Sequence, residues 1–247
     1  MTDHLQLTGA HSVPVDLTVI IPTRNRLATA RLLAERVREL LPALQVQVIV
    51  VTPLAEELPI SNASVRYVAD SGRGVYRAYE AGLRSAVGEY VWLMGDDDYP
   101  LDAATGISGI LRQGAVDVLI APVLLASGRV YRPTRSVLIL QFLNWCQQGV
   151  IYRRRELLRH RFFHRLTIQA DQYVNILLRS DPAVSKKFLV EPICMFGVNG
   201  ISGRGRDAGY RSLRIALARR TLSCGTFFAF RLLTMVEPLI KRLVRVR

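Results

Sequence analysis

The stretch DSGRGVYRAYEAGLRSAVGEYVWLMGDDDYP, Asp70 to Pro100, runs without interruption from a polar loop through a helix-like segment and an apolar run into three consecutive aspartates. VYRAYEAGLRSAVG has the composition of a helix, and EYVWLM is apolar enough to be a strand buried on both faces. The abrupt end of that strand is the informative feature. Adjacent carboxylates repel one another, so Asp96, Asp97 and Asp98 are stable side by side only when solvated, partly protonated or facing a cation.

Reading outward from this stretch gives the fold. On the N-terminal side lie LTVII (Leu17–Ile21), the helix-like RLATARLLAERVRELL, in which Leu32, Leu33, Arg36, Val37 and Leu40 recur at helical spacing, then VQVIVV and VRYV. On the C-terminal side come the helix-like LDAATGISGILRQG and the run DVLIAP. Apolar strands alternating with helices at this rhythm predict an α/β fold with a mostly parallel sheet covered on both faces. Ligands of such sheets lie beyond the carboxyl ends of the strands, which puts PTRNR after the first strand and GDDDYP after the central one on the functional rim. After Pro122 the rhythm breaks into shorter pieces: GRVYRP, the helix-like SVLILQFLNW, QQGVIYRRREL, IQADQYVNILLRS and VEPICMFGVNGISG. These are expected to complete the sheet and to form a second wall of the cleft.

The chain has 247 residues, half of them apolar, and a net charge of +13 with a pI near 10.4. That excess implies an anionic partner, whether nucleic acid, a phosphorylated substrate or a membrane face. Cys146, Cys194 and Cys224 are odd in number and widely spaced, unlike a zinc site or a disulfide scaffold, which fits a reducing cytoplasm. Residues 1–16 read as a lead-in without the features of a signal peptide, and no window reaches the length of a membrane-spanning helix, since Arg231 and Glu237 interrupt the best candidate.

A solvated turn is the ordinary explanation of an aspartate cluster. Hard carboxylate oxygens equally suit Mg²⁺ or Mn²⁺, which bridge to a diphosphate and need only one or two protein carboxylates. The order of LTVIIPTRNR, the Asp70–Pro100 stretch, QQGVIYRRREL and ADQYVNILLR resembles family 2 glycosyltransferases of the GT-A fold over 17–202. Gly74, Tyr76, Ala78, Gly82, Ala86 and Gly88 fall where that family has its helix and turn. The resemblance implies that Pro22, Thr23 and Arg24 line a nucleotide pocket, and that Asp98 binds the metal directly while Asp96 contacts it through water or meets the ribose. Asp97, Tyr76 and Arg77 would also border the donor.

Two stretches depart from the family pattern. Thr52 and Pro53 stand where an acidic residue usually reads the nucleobase, with Asp70 a substitute for it, and Arg77 and Glu80 stand where Asp and Asn are common. QQG resembles the His-Gln-Gly segment of a subgroup acting in surface-polysaccharide assembly of the colanic-acid type, with the non-titrating Gln147 in the His position. Asp171 begins a helix; its ordinary job there is an N-cap, and in the family it is the general base. GVNGISGRGR resembles a glycine-rich segment that, with Arg204, would close over the diphosphate.

From 203 to 247, eleven basic side chains face Asp207 and Glu237, so this extension carries +9 of the chain's +13. Between Phe227 and Arg247 the sequence reads as a basic amphipathic helix, suited either to an anionic bilayer surface or to docking on the core. Aliphatic residues outnumber aromatic ones among its basic positions, which disfavours nucleic acid. The expected activity is therefore inverting, metal-dependent transfer of a sugar from a nucleoside diphosphate to a glycan or lipid-linked acceptor, in the cytoplasm or at the inner face of the cell membrane. Two rivals remain at this point: a nucleotidyltransferase, although IPTRNR lacks the glycine-rich loop that class uses, and a membrane-associated scaffold that has lost its chemistry.

Overall fold

A computed structural model of the chain describes residues 14–58, 65–160, 166–197 and 207–245; of Glu57 and residues 238–245 the backbone alone is described. The first half alternates as the periodicity requires: β1 (Leu17–Pro22), α1 (Leu27–Leu40), β2 (Val46–Thr52), β3 (Val65–Ala69), α2 (Val75–Ser85), β4 (Tyr90–Leu93) and β5 (Tyr99–Pro100). There follow α3 (Ile107–Arg112), β6 (Val118–Ile120), β7 (Val123–Leu125), β8 (Val130–Tyr131), α4 (Val137–Leu140), β9 (Val150–Arg153) and α5 (Arg154–His160). The chain ends in α6 (Ala170–Ser180), β10 (Lys186–Phe188), β11 (Cys194–Phe196), α7 (Tyr210–Thr221) and α8 (Cys224–Arg245).

Seven strands form the main sheet in the order β10-β6-β9-β4-β1-β2-β3. All of its pairings are parallel except those of β9, which runs antiparallel between β4 and β6. Because side chains alternate across a strand, β1 sends Val19 and Ile21 to one face, against Ala30, Leu33 and Val37 of α1. Ile20 goes to the other face with Val91 and Leu93 of β4, against Ala78 and Leu83 of α2 and Val174 of α6. Gly82 is required here. A Cβ on it would collide with Ile20 and come within 3.2 Å of Val51, so only glycine lets α2 settle this close to the sheet.

A second sheet, β5-β11-β7-β8, stands beside the first. β11 pairs parallel with β7 and antiparallel with β5, which directly follows the three aspartates, so this small sheet carries Gly197 to their side. The segment SVLILQFLNW differs from its apolar helical reading: α4 is a single turn, capped by the Ser136 hydroxyl, which accepts from the Ile139 N–H at 3.3 Å. Beyond Leu140 the chain turns so that the Trp145 indole donates to Thr134 O at 2.8 Å and Asn144 enters the interior. Tertiary hydrogen bonds outweigh local propensity in this stretch.

The basic extension is docked. Phe230 is buried against Phe142, with ring centroids 5.4 Å apart. The Arg214 guanidinium lies over both rings and reaches Glu237 at 2.7 Å. Burying a ring like Phe230 contributes about 1.5–3 kcal/mol, enough to fix a helix that would otherwise be free.

Candidate active site

The carboxyl ends of β1, β3 and β4 open into a cleft of about 870 Å³ that the second half of the chain closes from the other side. Its lining includes Pro22, Thr23, Arg24, Arg26, Asp70, Tyr76, Asp96, Asp97, Gln147 and Asp171. Segments as far apart in sequence as Pro22 and Phe196 thus meet at one site, as the strand-end rule requires.

The loop after β1 is tied to the aspartates. The Thr23 hydroxyl donates to Asp96 Oδ2 at 2.6 Å and accepts from the Arg26 N–H at 3.2 Å. Asp96 Oδ1 is ion-paired with Arg26 Nη2, and Arg26 Nη1 lies 3.6 Å from Asp97 Oδ2. One guanidinium therefore spans two carboxylates. Asp98 lies beneath them, its oxygens accepting from the backbone N–H groups of Gly95 at 2.5 Å and Gly197 at 3.0 Å. Burial pushes its carboxyl up to about 7, against the pull of those two donors and of Gln148. Gly197 is indispensable, because a Cβ there would come within 2.5 Å of the Asp97 backbone oxygen.

Asp96 and Asp97 line the cleft, and with Asp98 below they present hard oxygen donors of the kind Mg²⁺ or Mn²⁺ selects. Among the described residues no three His, Cys, Asp or Glu side chains converge on one point. A divalent cation would therefore complete its shell with ligand phosphate and water, as Mg²⁺ commonly does.

Asp70 also borders the cleft. Its N–H donates to Thr52 O at 3.1 Å, and its carboxylate accepts from the Gly72 N–H at 3.0 Å. Asp70 thus stands one strand over from the position where Thr52 leaves no acid. Arg24 is held by donation to Gly72 O at 3.1 Å. Arg77 turns away to Glu80 at 3.4 Å and is not among the lining residues, because its place on α2 faces outward. Arg204 lies outside the described residues.

Across the cleft, Asp171 occupies the second position of α6, whose N-cap is Gln169. It is not the cap itself. Asp171 Oδ1 accepts from the Tyr76 hydroxyl at 2.7 Å and the Gln172 N–H at 2.8 Å, and Oδ2 accepts from Asn144 Nδ2 at 2.6 Å. Burial raises its carboxyl to about 6, with these donors pulling the other way. The start of α6 is secured by Asp207, whose carboxylate accepts from the N–H groups of Thr167, Ile168 and Gln169 at 2.7–2.9 Å. The first turn of the C-terminal extension thus holds the helix that carries Asp171.

A chain of side-chain hydrogen bonds continues from Asp171. Asn175 Nδ2 donates to Asn144 Oδ1 at 3.0 Å, the Tyr152 hydroxyl donates to Asn175 Oδ1 at 2.8 Å, and Gln147 Nε2 donates to Tyr152 at 3.3 Å. Gln147 Oε1 is buried without a hydrogen-bond partner among the described residues. Arg26, Asn144 and Asn175 were not singled out from the sequence. Asn175 carried a signal, since it lies one helical turn after Asp171, whereas Asn144 was hidden in a segment that reads as an apolar helix.

The sequence model of "Glycosyl transferase family 2" matches residues 18–165, more than half of the chain. No curated protein sequence matches. Among solved structures, S. aureus TarS 1–349 in complex with UDP-GlcNAc is similar with a TM-score of 0.65 at 16% identity, over 87% of this chain and 70% of that one. The mannosyltransferase PcManGT from Pyrobaculum calidifontis, in complex with GDP-Man and Mn²⁺, gives 0.54 at 15% identity, over 95% of this chain and 83% of that one. In another structure of TarS 1–349 the match spans 60% of that chain, and in the longer TarS it spans 39%.

Proposed function

The chain belongs to glycosyl transferase family 2, and on that premise we propose that it is an inverting enzyme transferring a sugar from a nucleoside diphosphate to a hydroxyl of a glycan or lipid-linked acceptor in cell-surface polysaccharide synthesis. The observation that carries this reading is the shared cleft. Asp96 and Asp97 border it from one strand end, and Asp171, held by three donors, borders it from α6.

Asp171 takes the proton from the acceptor hydroxyl as that oxygen attacks the anomeric carbon, and the bond from that carbon to the diphosphate oxygen breaks with its electron pair leaving on the phosphate. A single in-line displacement inverts the anomeric centre. A carboxyl near 6 suits the base, because it is ionised at neutral pH yet basic enough to share a proton in the transition state. Tyr76 and Asn144 donate to it and so fix the direction of its remaining lone pairs.

Pro22, Thr23 and Arg24 line the nucleotide side, with Asp70 placed to accept from the ribose or the base. Mg²⁺ or Mn²⁺ would be held by Asp96 at the cleft surface and by Asp98 beneath it, which would exchange one backbone contact for the ion. When bound, the ion stabilises the charge that develops on the departing diphosphate. Gln147, with an unpartnered acceptor oxygen, is placed to receive a hydroxyl of the acceptor or donor.

The reading extends to where the enzyme works. No described helix is long and apolar enough to cross a membrane. One face of α8 is docked through Phe230 and Thr234, while Phe228 (66% exposed), Leu232, Met235 (63% exposed) and Val236 point outward beside exposed Arg231. An apolar stripe with an exposed arginine beside it suits an anionic bilayer surface, which would place a cytoplasmic enzyme at the inner face of the membrane beside lipid-linked acceptors.

A thermal-shift screen of UDP, GDP, dTDP and their sugars with Mn²⁺ or Mg²⁺ tests the donor assignment, since a ligand that binds only the folded chain stabilises it by mass action. A nucleotide that raises the melting temperature only with the cation is the expected result. No response to any of them would overturn it.

A further inference from the structure

Arg26 occupies the place a cation would take. Its guanidinium meets Asp96 Oδ1 and approaches Asp97 Oδ2 at 3.6 Å, while the other oxygen of Asp96 is held by Thr23. Two carboxylates facing a cleft repel each other, and a planar guanidinium with several donors is well suited to bridging them. The same guanidinium opposes a divalent cation. A dication settling on Asp96 would lie beside a fixed positive charge and be repelled by it, so the two cannot share the carboxylate at full strength.

The surroundings leave Arg26 able to leave. Its backbone, not its side chain, makes the anchoring bond to Thr23, and its side chain is 38% exposed at the cleft rim. The first turn of α1, which Arg26 precedes, carries no acidic residue that would capture the guanidinium once released. The nearest anion on offer in a loaded cleft is the donor's own diphosphate. Arg26 sits at the start of α1, where the helix dipole also favours negative charge.

Resting on the proposed donor reading, we infer that Arg26 is an exchangeable counter-ion: it neutralises Asp96 and Asp97 while no cation is bound and moves to the diphosphate when a divalent cation takes Asp96. Cation and nucleoside diphosphate then bind as a pair. Each alone must work against Arg26 or against the aspartates, and each raises the affinity of the other by the same factor, as linkage requires.

The test is Mn²⁺ binding to the full chain, followed by electron paramagnetic resonance of the free ion, for wild type, Arg26→Gln and Arg26→Lys, with and without UDP or GDP. Without nucleotide, Arg26→Gln should bind Mn²⁺ more tightly by about tenfold, a typical coupling between linked sites. With Mn²⁺ present it should bind nucleotide more weakly, so that the factor by which each ligand helps the other shrinks. Arg26→Lys keeps the charge and should stay close to wild type for Mn²⁺ alone.

Unchanged or weaker Mn²⁺ binding by Arg26→Gln overturns the exchange, as does a gain by Arg26→Lys equal to that of Arg26→Gln. Failure of every form to bind nucleotide would count against the glycosyltransfer reading instead, and the Mn²⁺ comparison would still judge the exchange. Should Arg26→Gln melt well below wild type, Arg26→Met supplies a second uncharged side chain for the same titration.

Discussion

The two walls of the cleft are built by different means. On the proposed donor side, β1 and β4 are parallel neighbours whose ends deliver Pro22, Thr23, Asp96 and Asp97 within short loops, so each residue's position follows from the strand before it. On the opposite side, Asp171 depends on partners from three distant segments: Tyr76 on α2, Asn144 after α4, and Asp207 ahead of α7, which caps the turn leading into α6. One wall is set by sheet geometry and the other by a hydrogen-bond network. A local change should act locally on the first wall and spread on the second.

The largest effect is expected at Asp171. On the proposed mechanism, Asp171→Asn keeps the size of the side chain but removes the base that would take the acceptor's proton, so turnover should fall by about 10² to 10⁴ with donor affinity retained. Measured beside donor binding, a loss of both would mean that the residue shapes the cleft rather than the chemistry. If Asp171 is the base, protonation of its carboxyl near 6 silences it in the wild type, so kcat should fall about tenfold per pH unit below that value and level off above it. The Asn variant should lose this limb of the profile.

The donor wall is probed next. Asp96→Ala removes an acceptor at the cleft surface and should abolish cation-dependent nucleotide binding while the fold persists, read by the same thermal-shift assay. Asp98 separates two roles. If it holds the cation, Asp98→Asn loses Mn²⁺ dependence at an unchanged melting temperature. If it only ties Gly95 to Gly197, Asp98→Ala leaves two partly buried N–H groups without this partner, costs about 1–3 kcal/mol and keeps the Mn²⁺ response.

A smaller effect, and the sharpest test of the contrast, is expected at Asn144. Asn144→Ala takes one donor from ionised Asp171 and strands Asn175, so the kinetic pKa should rise above about 6 and kcat should drop by roughly tenfold, without change in nucleotide affinity. A pH profile identical to wild type would show that the network is structural only.

The least effect on catalysis is expected on α8. The double substitution Leu232→Glu and Met235→Glu lies on the outward face and should leave melting temperature and turnover of a soluble acceptor unchanged while abolishing flotation with phosphatidylglycerol vesicles. Phe230→Ala, on the docked face, should instead destabilise by about 3–5 kcal/mol. Equal flotation of the double variant and wild type would remove the membrane role.

The central strands, the helices between them and the placement of both strand-end motifs were legible because parallel strands buried on both faces write themselves as continuous apolar runs. The docking of α8 and its outward stripe were legible only as alternatives, since a periodic apolar pattern does not say which of its residues meet the core. Arg77 was read as a nucleotide contact, but its helical position turns it to Glu80. SVLILQFLNW was read as a helix, but its last residues are claimed by hydrogen bonds to Thr134, Asp171 and Asn175, whose positions a local reading does not contain.

What the sequence determined by itself is the periodicity that fixes the sheet and the residue types that close its strands. Only the tertiary structure decided that Arg26 bridges Asp96 and Asp97, that Asp98 turns beneath them, and that Asn144 and Asp207 hold Asp171 and its helix in place. The reason is physical. Burial patterns repeat along the chain and can be read residue by residue, whereas a hydrogen bond or ion pair depends on where the chain's distant segments come to lie against one another.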